Sequence, residues 1–169
     1  MRNEALTWDE VDKLIDHLIP QFETEFDAML MITHGGIVPG GILSEALKIH
    51  EVFVAAVDFP AEFEAEKQHE RTRLLAWPQF VQFPGEDLLR GRRLLVVDDV
   101  WGSGRTMTAV RNRIIGQAGQ ASTCVLHFNP YRSLFGSLRP DYYAAITDAH
   151  IIYPWEIKRG PEAVLLRDF

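Results

Sequence analysis

Apolar residues recur along this chain with two periods that take turns. Thr7-x-x-Glu10 has the form of a capping box, and Val11, Leu14, Ile15, Leu18, Ile19 and Phe22 follow it at three- and four-residue intervals, which predicts an amphipathic helix. Residues 28–32 are a short apolar run closed by His34-Gly35-Gly36, after which helical spacing resumes over 37–47, giving strand, glycine turn, helix. A second apolar strand is expected at 52–57, and the stretch 58–73, rich in Glu, Lys and Arg with little apolar periodicity, predicts a long exposed loop or hairpin. Residues 80–83 suit an edge strand, 84–93 a turn-rich approach, and 94–97 a fully apolar strand of the kind buried on both faces of a parallel sheet. A helix over 105–117, a strand at 122–128, a Pro/Gly/Ser loop over 129–139 and short strands at 142–146 and 150–153 complete the pattern. Strands alternating with helices predict an α/β fold, a mostly parallel central sheet flanked by helices, with 94–97 at its middle.

Length and composition narrow the reading further. One domain of 169 residues, with 47% hydrophobic and 24% charged positions, can bury a core without disulfide or structural metal. The one cysteine, Cys124, lies in the apolar run STCVLHF and is expected to be a buried structural thiol. The N-terminus has no apolar run of signal-peptide length and no stretch is long enough to span a membrane, so a cytoplasmic protein with no membrane partner is expected. A net charge of -7 argues against a general nucleic-acid binder, whereas a nest of backbone N–H groups on an acidic protein still suits a small anion.

The chemistry concentrates where the strand at 94–97 ends. Asp98 and Asp99 come first, then Val100, Trp101, Gly102, Ser103, Gly104, Arg105 and Thr106, opening the next helix. Ligands of α/β sheets sit at the carboxyl ends of strands. Gly102 and Gly104 let the backbone turn its N–H groups toward one point, Ser103 and Thr106 add hydroxyls, and the helix adds its positive dipole end, a combination suited to a phosphate monoester. The two carboxylates are placed to accept from a ribose diol or to act through Mg2+. An ordinary turn, with Asp as cap and Gly as turn residue, would explain G-S-G-R-T alone. Two carboxylates, two glycines and two hydroxyls within nine residues favour the phosphate–ribose reading, and the Walker A spacing is absent.

Asp98, Asp99, Ser103, Gly104 and Thr106 match, position by position, the phosphoribosyl pyrophosphate (PRPP) signature of the type I phosphoribosyltransferase family, which the chain resembles. Thr33, His34, Gly35 and Gly36 resemble that family's pyrophosphate loop, and residues 148–156 the hood segment of its xanthine/guanine/hypoxanthine branch. The resemblance implies Mg2+-dependent transfer of a phosphoribosyl group from PRPP to a purine-like base with release of pyrophosphate. It implies Asp98 and Asp99 as catalytic and metal-binding residues and Gly102, Ser103, Gly104, Arg105 and Thr106 as the phosphate cradle. Asn129, His150 and Ile151 fall at the base pocket, hood elements fall near residues 1–27 and 140–169, and a homo-oligomer, a dimer, is expected. By the same resemblance 58–73 closes over the site, with Lys67, Arg71 and Arg73 as candidate pyrophosphate partners.

Four positions depart from the 6-oxopurine pattern. His34 replaces an Arg of the pyrophosphate loop, Gly102 an Asp facing the purine imidazole nitrogen, Asn129 a Lys contacting the 6-oxo group, and His150 a base-stacking aromatic. Three of the four concern the base. Each also has a plainer reading: Gly102 as a small residue of other branches, Asn129 as the start of a turn before Pro130, His150 as a packed strand residue. His127 and Trp155 read as structural. Beside an enzyme that uses PRPP and a nucleobase stands a catalytically weak regulatory protein that binds PRPP or a nucleoside monophosphate, and behind both a hydrolase with water replacing the base.

Overall fold

A computed structural model describes residues 2–59 and 77–157. In chain order the elements are β1 (Asn3–Ala5), α1 (Trp8–Leu18), a 3-10 turn (Ile19–Gln21), β2 (Ala28–Ile32), α2 (Ile37–Ala46), β3 (Val52–Asp58), β4 (Gln79–Gln82), α3 (Glu86–Leu89), β5 (Arg93–Trp101), α4 (Arg105–Gly116), β6 (Gln120–Phe128), β7 (Tyr142–Ile146) and β8 (His150–Ile152). Six strands form one sheet in the order β4-β3-β2-β5-β6-β7, and β1 pairs with β8 in a separate two-stranded sheet. Within the large sheet every pairing is parallel except that of β3 with β4 at the edge. The fold is therefore α/β with a mostly parallel central sheet, and β5 lies inside it.

Local chemistry starts α1 where the sequence pattern places it. The Glu10 N–H donates to Thr7 Oγ1 at 3.3 Å and the Thr7 N–H donates back to the Glu10 carboxylate at 2.8 Å, so two of the N–H groups that a helix start leaves unpaired are satisfied. Val11, Ile15 and Leu18 then face inward. On that side of the sheet α1 and α2 pack Val11, Ile15, Leu18 and Leu43 against Met29, Leu95 and Val97. On the other side Leu89 of α3 and Met107, Val110 and Ile114 of α4 cover Leu30, Leu94 and Val96. Covered on both faces, β2 is buried at all five positions, and each of its four larger side chains, Met29, Leu30, Met31 and Ile32, contributes about 1.5–3 kcal/mol. Cys124 is buried within the first of these clusters, as expected of a structural thiol, and burial pushes its pKa up.

Several boundaries differ from the sequence reading. The edge strand is Gln79–Gln82, and the turn-rich approach contains the one-turn helix α3. β6 begins at Gln120, and β1 carries no pattern that announces it. The largest correction concerns β5, which does not stop at Val97 but runs through Trp101. Its neighbour β6 keeps the ladder going, with Asp98 opposite Val125, Val100 opposite His127 and Trp101 opposite Phe128. The two carboxylates thus stand on a strand rather than in a loop. Of the charged stretch 58–73, Asp58 ends β3 and Phe59 follows it; Lys67, Arg71 and Arg73 lie outside the described residues. Among the described residues no helix is long and apolar enough to cross a membrane.

Candidate active site

The five parallel strands end at one edge of the sheet, where ligands of this architecture bind. Two turns meet there. After β2 the chain turns through Thr33, His34, Gly35 and Gly36, with a cis peptide between Thr33 and His34, and enters α2. The Thr33 N–H donates to the Ala55 carbonyl at 2.9 Å and the Gly36 N–H to the Ile32 carbonyl at 2.8 Å, which fixes both ends of the turn. A Cβ on Gly36 would collide with the Val97 carbonyl and lie 2.8 Å from that of Ile32. A Cβ on Gly35 would lie 2.5 Å from both carboxylate oxygens of Asp99. Glycine at these two positions is what lets the first turn close onto β5.

The second turn joins β5 to α4. Gly104 has φ +79°, in the left-handed region, and a Cβ on it would lie 2.7 Å from Trp101 Cε2, so both backbone and packing call for glycine. Trp101 is buried beneath the turn and donates its indole N–H to Ser133 Oγ at 3.3 Å. Ser103 is exposed; its Oγ accepts from the Arg105 N–H at 3.4 Å and its carbonyl accepts from the Leu134 N–H at 3.0 Å. Thr106 stands in the first turn of α4, where backbone N–H groups lack partners within the helix. The Arg105 guanidinium lies 4.1 Å from the centre of the Phe59 ring. Gly102 differs from its neighbours, since a Cβ there would meet nothing within 4 Å.

The adjacent carboxylates have different surroundings. Asp98 is partly exposed and accepts from the Asp99 N–H at 2.9 Å. Burial of its carboxyl and repulsion from Asp99 hold its pKa well above the usual carboxylate range. Asp99 is buried, and burial, with repulsion from Glu156, raises its pKa to about 6, against the opposing pull of the Val100 N–H. Its carbonyl accepts from the Tyr153 hydroxyl at 2.9 Å, and the Tyr153 oxygen lies 2.8 Å from His127 Nδ1. Because that hydroxyl gives its one proton to Asp99, it accepts from His127, which puts the imidazole proton on Nδ1. Burial lowers the His127 pKa to about 4 and keeps the ring neutral. Among the described residues no group of three His, Cys, Asp or Glu side chains forms a metal cage.

The three residues expected at the base pocket come out unequal. Asn129 is buried, its Oδ1 accepts from the Tyr131 and Arg132 N–H groups at 3.2 Å each, and its Nδ2 donates to the Ala149 carbonyl at 3.5 Å. Its amide is engaged in turning the chain. Ile151 is buried in the core with Leu6 and Val11, so its side chain is a packing group. His150 is exposed on β8. Tyr153, by contrast, donates its hydroxyl to the Asp99 carbonyl, and the charge of Glu156 reaches the Asp99 carboxyl; the sequence reading placed these two only within the hood segment 148–156. A buried tyrosine needs a partner for its hydroxyl, and that was the available signal.

The fold has counterparts among known proteins. A purine phosphoribosyltransferase from Pyrococcus horikoshii is 27% identical, with a TM-score of 0.74, and the match covers 95% of this chain and 98% of that one. A hypothetical protein from Neisseria gonorrhoeae with bound ppGpp is 23% identical, with a TM-score of 0.77 and coverage of 98% and 95%. The Helicobacter pylori xanthine-guanine-hypoxanthine phosphoribosyltransferase shares the fold at 17% identity, with a TM-score of 0.70 and coverage of 92% and 95%. No curated protein sequence matches significantly. The phosphoribosyl transferase domain profile matches residues 3–152, almost the whole chain, and takes in both turns. The chain belongs to the phosphoribosyl transferase domain family.

Proposed function

We propose that the protein transfers the phosphoribosyl group of PRPP to a purine-like base and releases pyrophosphate. The observation that carries this reading is the contact of Gly35 with the Asp99 carboxylate, which brings the turn at 33–36 and the segment 98–106 together at the ends of neighbouring parallel strands. The 5'-phosphate sits at the start of α4 on the backbone of Gly102, Ser103 and Gly104, with the Ser103 and Thr106 hydroxyls and Arg105 around it. Thr33, His34, Gly35 and Gly36 receive the pyrophosphate. Asp98 accepts from the ribose diol. Mg2+ fits this donor set in the way usual for phosphate substrates, held by one or two carboxylates, Asp98 and Asp99, together with ligand oxygens rather than by a protein cage. Bound there, it would neutralise pyrophosphate charge.

In the reaction a base nitrogen forms the bond to C1', the bond from C1' to the pyrophosphate oxygen breaks with its electron pair staying on that oxygen, and the nitrogen gives up its proton to solvent water. Positive charge that develops on the ribose ring faces the carboxylates of β5, and most of the rate comes from positioning and from stabilising the leaving charge. Similarity to the Pyrococcus horikoshii purine enzyme supports a purine-like acceptor. A second reading, a nucleotide-binding regulatory protein with weak transfer, draws on Gly102, which offers no carboxylate, and on Asn129, whose amide is already bonded.

Incubation with PRPP, Mg2+ and a panel of nucleobases decides between them. Base-dependent release of pyrophosphate is the expected result. Binding of PRPP without release supports the regulatory reading, and release without any base points to hydrolysis.

A further inference from the structure

One cavity carries two buried polar groups that the fold leaves unused. It has a volume of about 400 Å³, opens where β1 and the segment after β7 meet the end of β6, and is lined at its base by His127 and Thr147, 6% and 7% exposed. The Tyr153 hydroxyl gives its proton to the Asp99 carbonyl and accepts from His127 Nδ1 at 2.8 Å, which leaves Nε2 of the neutral ring as an acceptor. Nε2 makes no hydrogen bond among the described residues and is still open to solvent, and the opening at His127 is this cavity. Thr147 Oγ1 accepts from the Ala149 N–H at 3.0 Å, and its own proton has no acceptor among the described residues. A buried polar group without a partner is costly, so each of the two calls for one. The rim excludes phosphate: Arg2 lies 2.8 Å from Asp148 and 3.5 Å from Glu4, one cation against two carboxylates. Ala145 and Ile146 supply an apolar wall, and the Tyr131 ring, 79% exposed, stands beside the opening with a face to offer a flat ligand.

We propose that this cavity is a second binding site, which takes a neutral nucleobase-type heterocycle without phosphate: a lactam N–H of the ligand donates to His127 Nε2, and the neighbouring carbonyl accepts from the Thr147 hydroxyl. An acceptor and a donor at the base of a cavity with an apolar wall match the edge and the faces of such a ring. Neither the 33–36 turn, the segment 98–106, nor Asn129, His150 or Ile151 lines it, so it is separate from the site described above. The proposal stands whether or not 98–106 binds PRPP.

Imidazole nitrogen-15 spectra test it during titration with hypoxanthine and, separately, with 1,7-dimethylhypoxanthine, which has no N–H. The His127 signals are those that His127→Asn removes, a change whose amide N–H can still serve Tyr153. Hypoxanthine is expected to move the His127 Nε2 signal upfield saturably, and the dimethyl compound to leave it in place. The midpoint of that shift should require about tenfold more hypoxanthine in Thr147→Val, the upper end for a neutral hydrogen bond, and no more than the parent in Thr147→Ser, which keeps the hydroxyl. Shifts at His34 or His150 while His127 stays still would put hypoxanthine in the site described above and overturn the proposal. An equal response of His127 to both compounds overturns it too, because no hydrogen bond then forms at Nε2. So does a midpoint unchanged in Thr147→Val, which leaves the lactam edge without its second anchor. Absence of any saturable shift at millimolar hypoxanthine also overturns it, since water then satisfies both groups. Should Thr147→Val fail to fold, the two compounds on the parent protein still decide.

Discussion

The proposed phosphate–ribose half of the site and the proposed base half are built in different ways. In the first, groups that would meet the ligand are backbone N–H groups and short side chains held by close approach: Gly36 against Val97, Gly35 against Asp99, Gly104 over Trp101. In the second, the candidate side chains are committed elsewhere, Asn129 to the Tyr131 and Arg132 amides and Ile151 to the core, leaving His150 exposed. Where the close approach leaves no room for a Cβ, as at Gly35, Gly36 and Gly104, only glycine fits. Recognition by side chains drifts one residue at a time without disturbing the fold. The contrast accounts for a chain that keeps its family's phosphate signature while departing from the 6-oxopurine pattern at Gly102, Asn129 and His150.

The most severe break of the first half is Gly36→Ala. The added methyl would enter the Val97 carbonyl and crowd both backbone polar atoms of Ile32, and backbone does not yield as a flexible side chain does. Urea denaturation should show a loss of roughly 3 kcal/mol or more, the upper range for overpacking. Stability within about 0.5 kcal/mol of the parent, the range of an ordinary surface change, would mean that the turn is not closed onto β5 in solution.

The base half should be improvable. Gly102 has open space where its Cβ would stand, so Gly102→Asp introduces a carboxylate without displacing anything. If transfer to guanine, hypoxanthine or xanthine is slow for want of a proton acceptor, this change should raise the rate on the order of 10²-fold or more, the worth of a positioned base. Steady-state pyrophosphate release with each 6-oxopurine measures it. No gain in a folded variant, or a parent already turning over at about 10 s⁻¹, would show that the base half is not deficient. Asn129→Lys is the less informative partner, since it also removes the acceptor for two backbone N–H groups.

Asp99→Asn separates binding from stability. The carboxyl has a folded-state pKa of about 6 against an ordinary 3.8, so between those values the folded protein holds the proton more tightly than the unfolded chain. The associated stability is present at low pH, falls as pH rises through that window and is gone above about pH 6, where a buried ionised carboxylate opposes folding. Asp99→Asn should therefore stabilise the protein at pH 7.5, by roughly 3 kcal/mol at most at about 1.4 kcal/mol per unit, and the advantage should disappear below about pH 4. PRPP affinity should fall in the same variant, and by more than in Asp58→Asn, because Asp58 is exposed at the end of β3, away from the Asp99 contacts. Denaturation curves at several pH values and one calorimetric titration read both effects.

What could be read in the sequence was whatever rests on local chemistry. The capping box at Thr7 and Glu10, the all-apolar run inside β5 and the glycine-hydroxyl turn before α4 each carry their cause within a few residues. What could not be read depends on partners distant in sequence. β1 is exposed at all three positions and has no apolar alternation, being held by its parallel ladder with β8. β5 runs four residues past its apolar stretch because β6 continues beside it. Asn129 could be read as a turn former or as a base contact until the Tyr131 and Arg132 N–H groups were seen to donate to it, and the engagement of Tyr153 with Asp99 joins residues 54 apart in the chain.

The smallest effect sharpens the comparison within the PRPP segment itself. Gly102 and Gly104 stand two residues apart and look alike in sequence, yet Gly104 has a left-handed φ and a tryptophan beneath it, whereas Gly102 has neither. Gly102→Ala should therefore leave the fold intact and, by narrowing the unfolded ensemble, stabilise it by about 0.4–1 kcal/mol. Gly104→Ala should destabilise it, since alanine there must adopt a strained backbone and meet the Trp101 ring. PRPP affinity distinguishes two reasons for a glycine at 102. Affinity equal to the parent's in Gly102→Ala means the open space lies beside the ligand, where an acidic side chain would also be accommodated. A tenfold loss in a protein that is no less stable means the phosphate approaches the backbone so closely that a methyl intrudes, and Gly102 then belongs to the cradle in its own right.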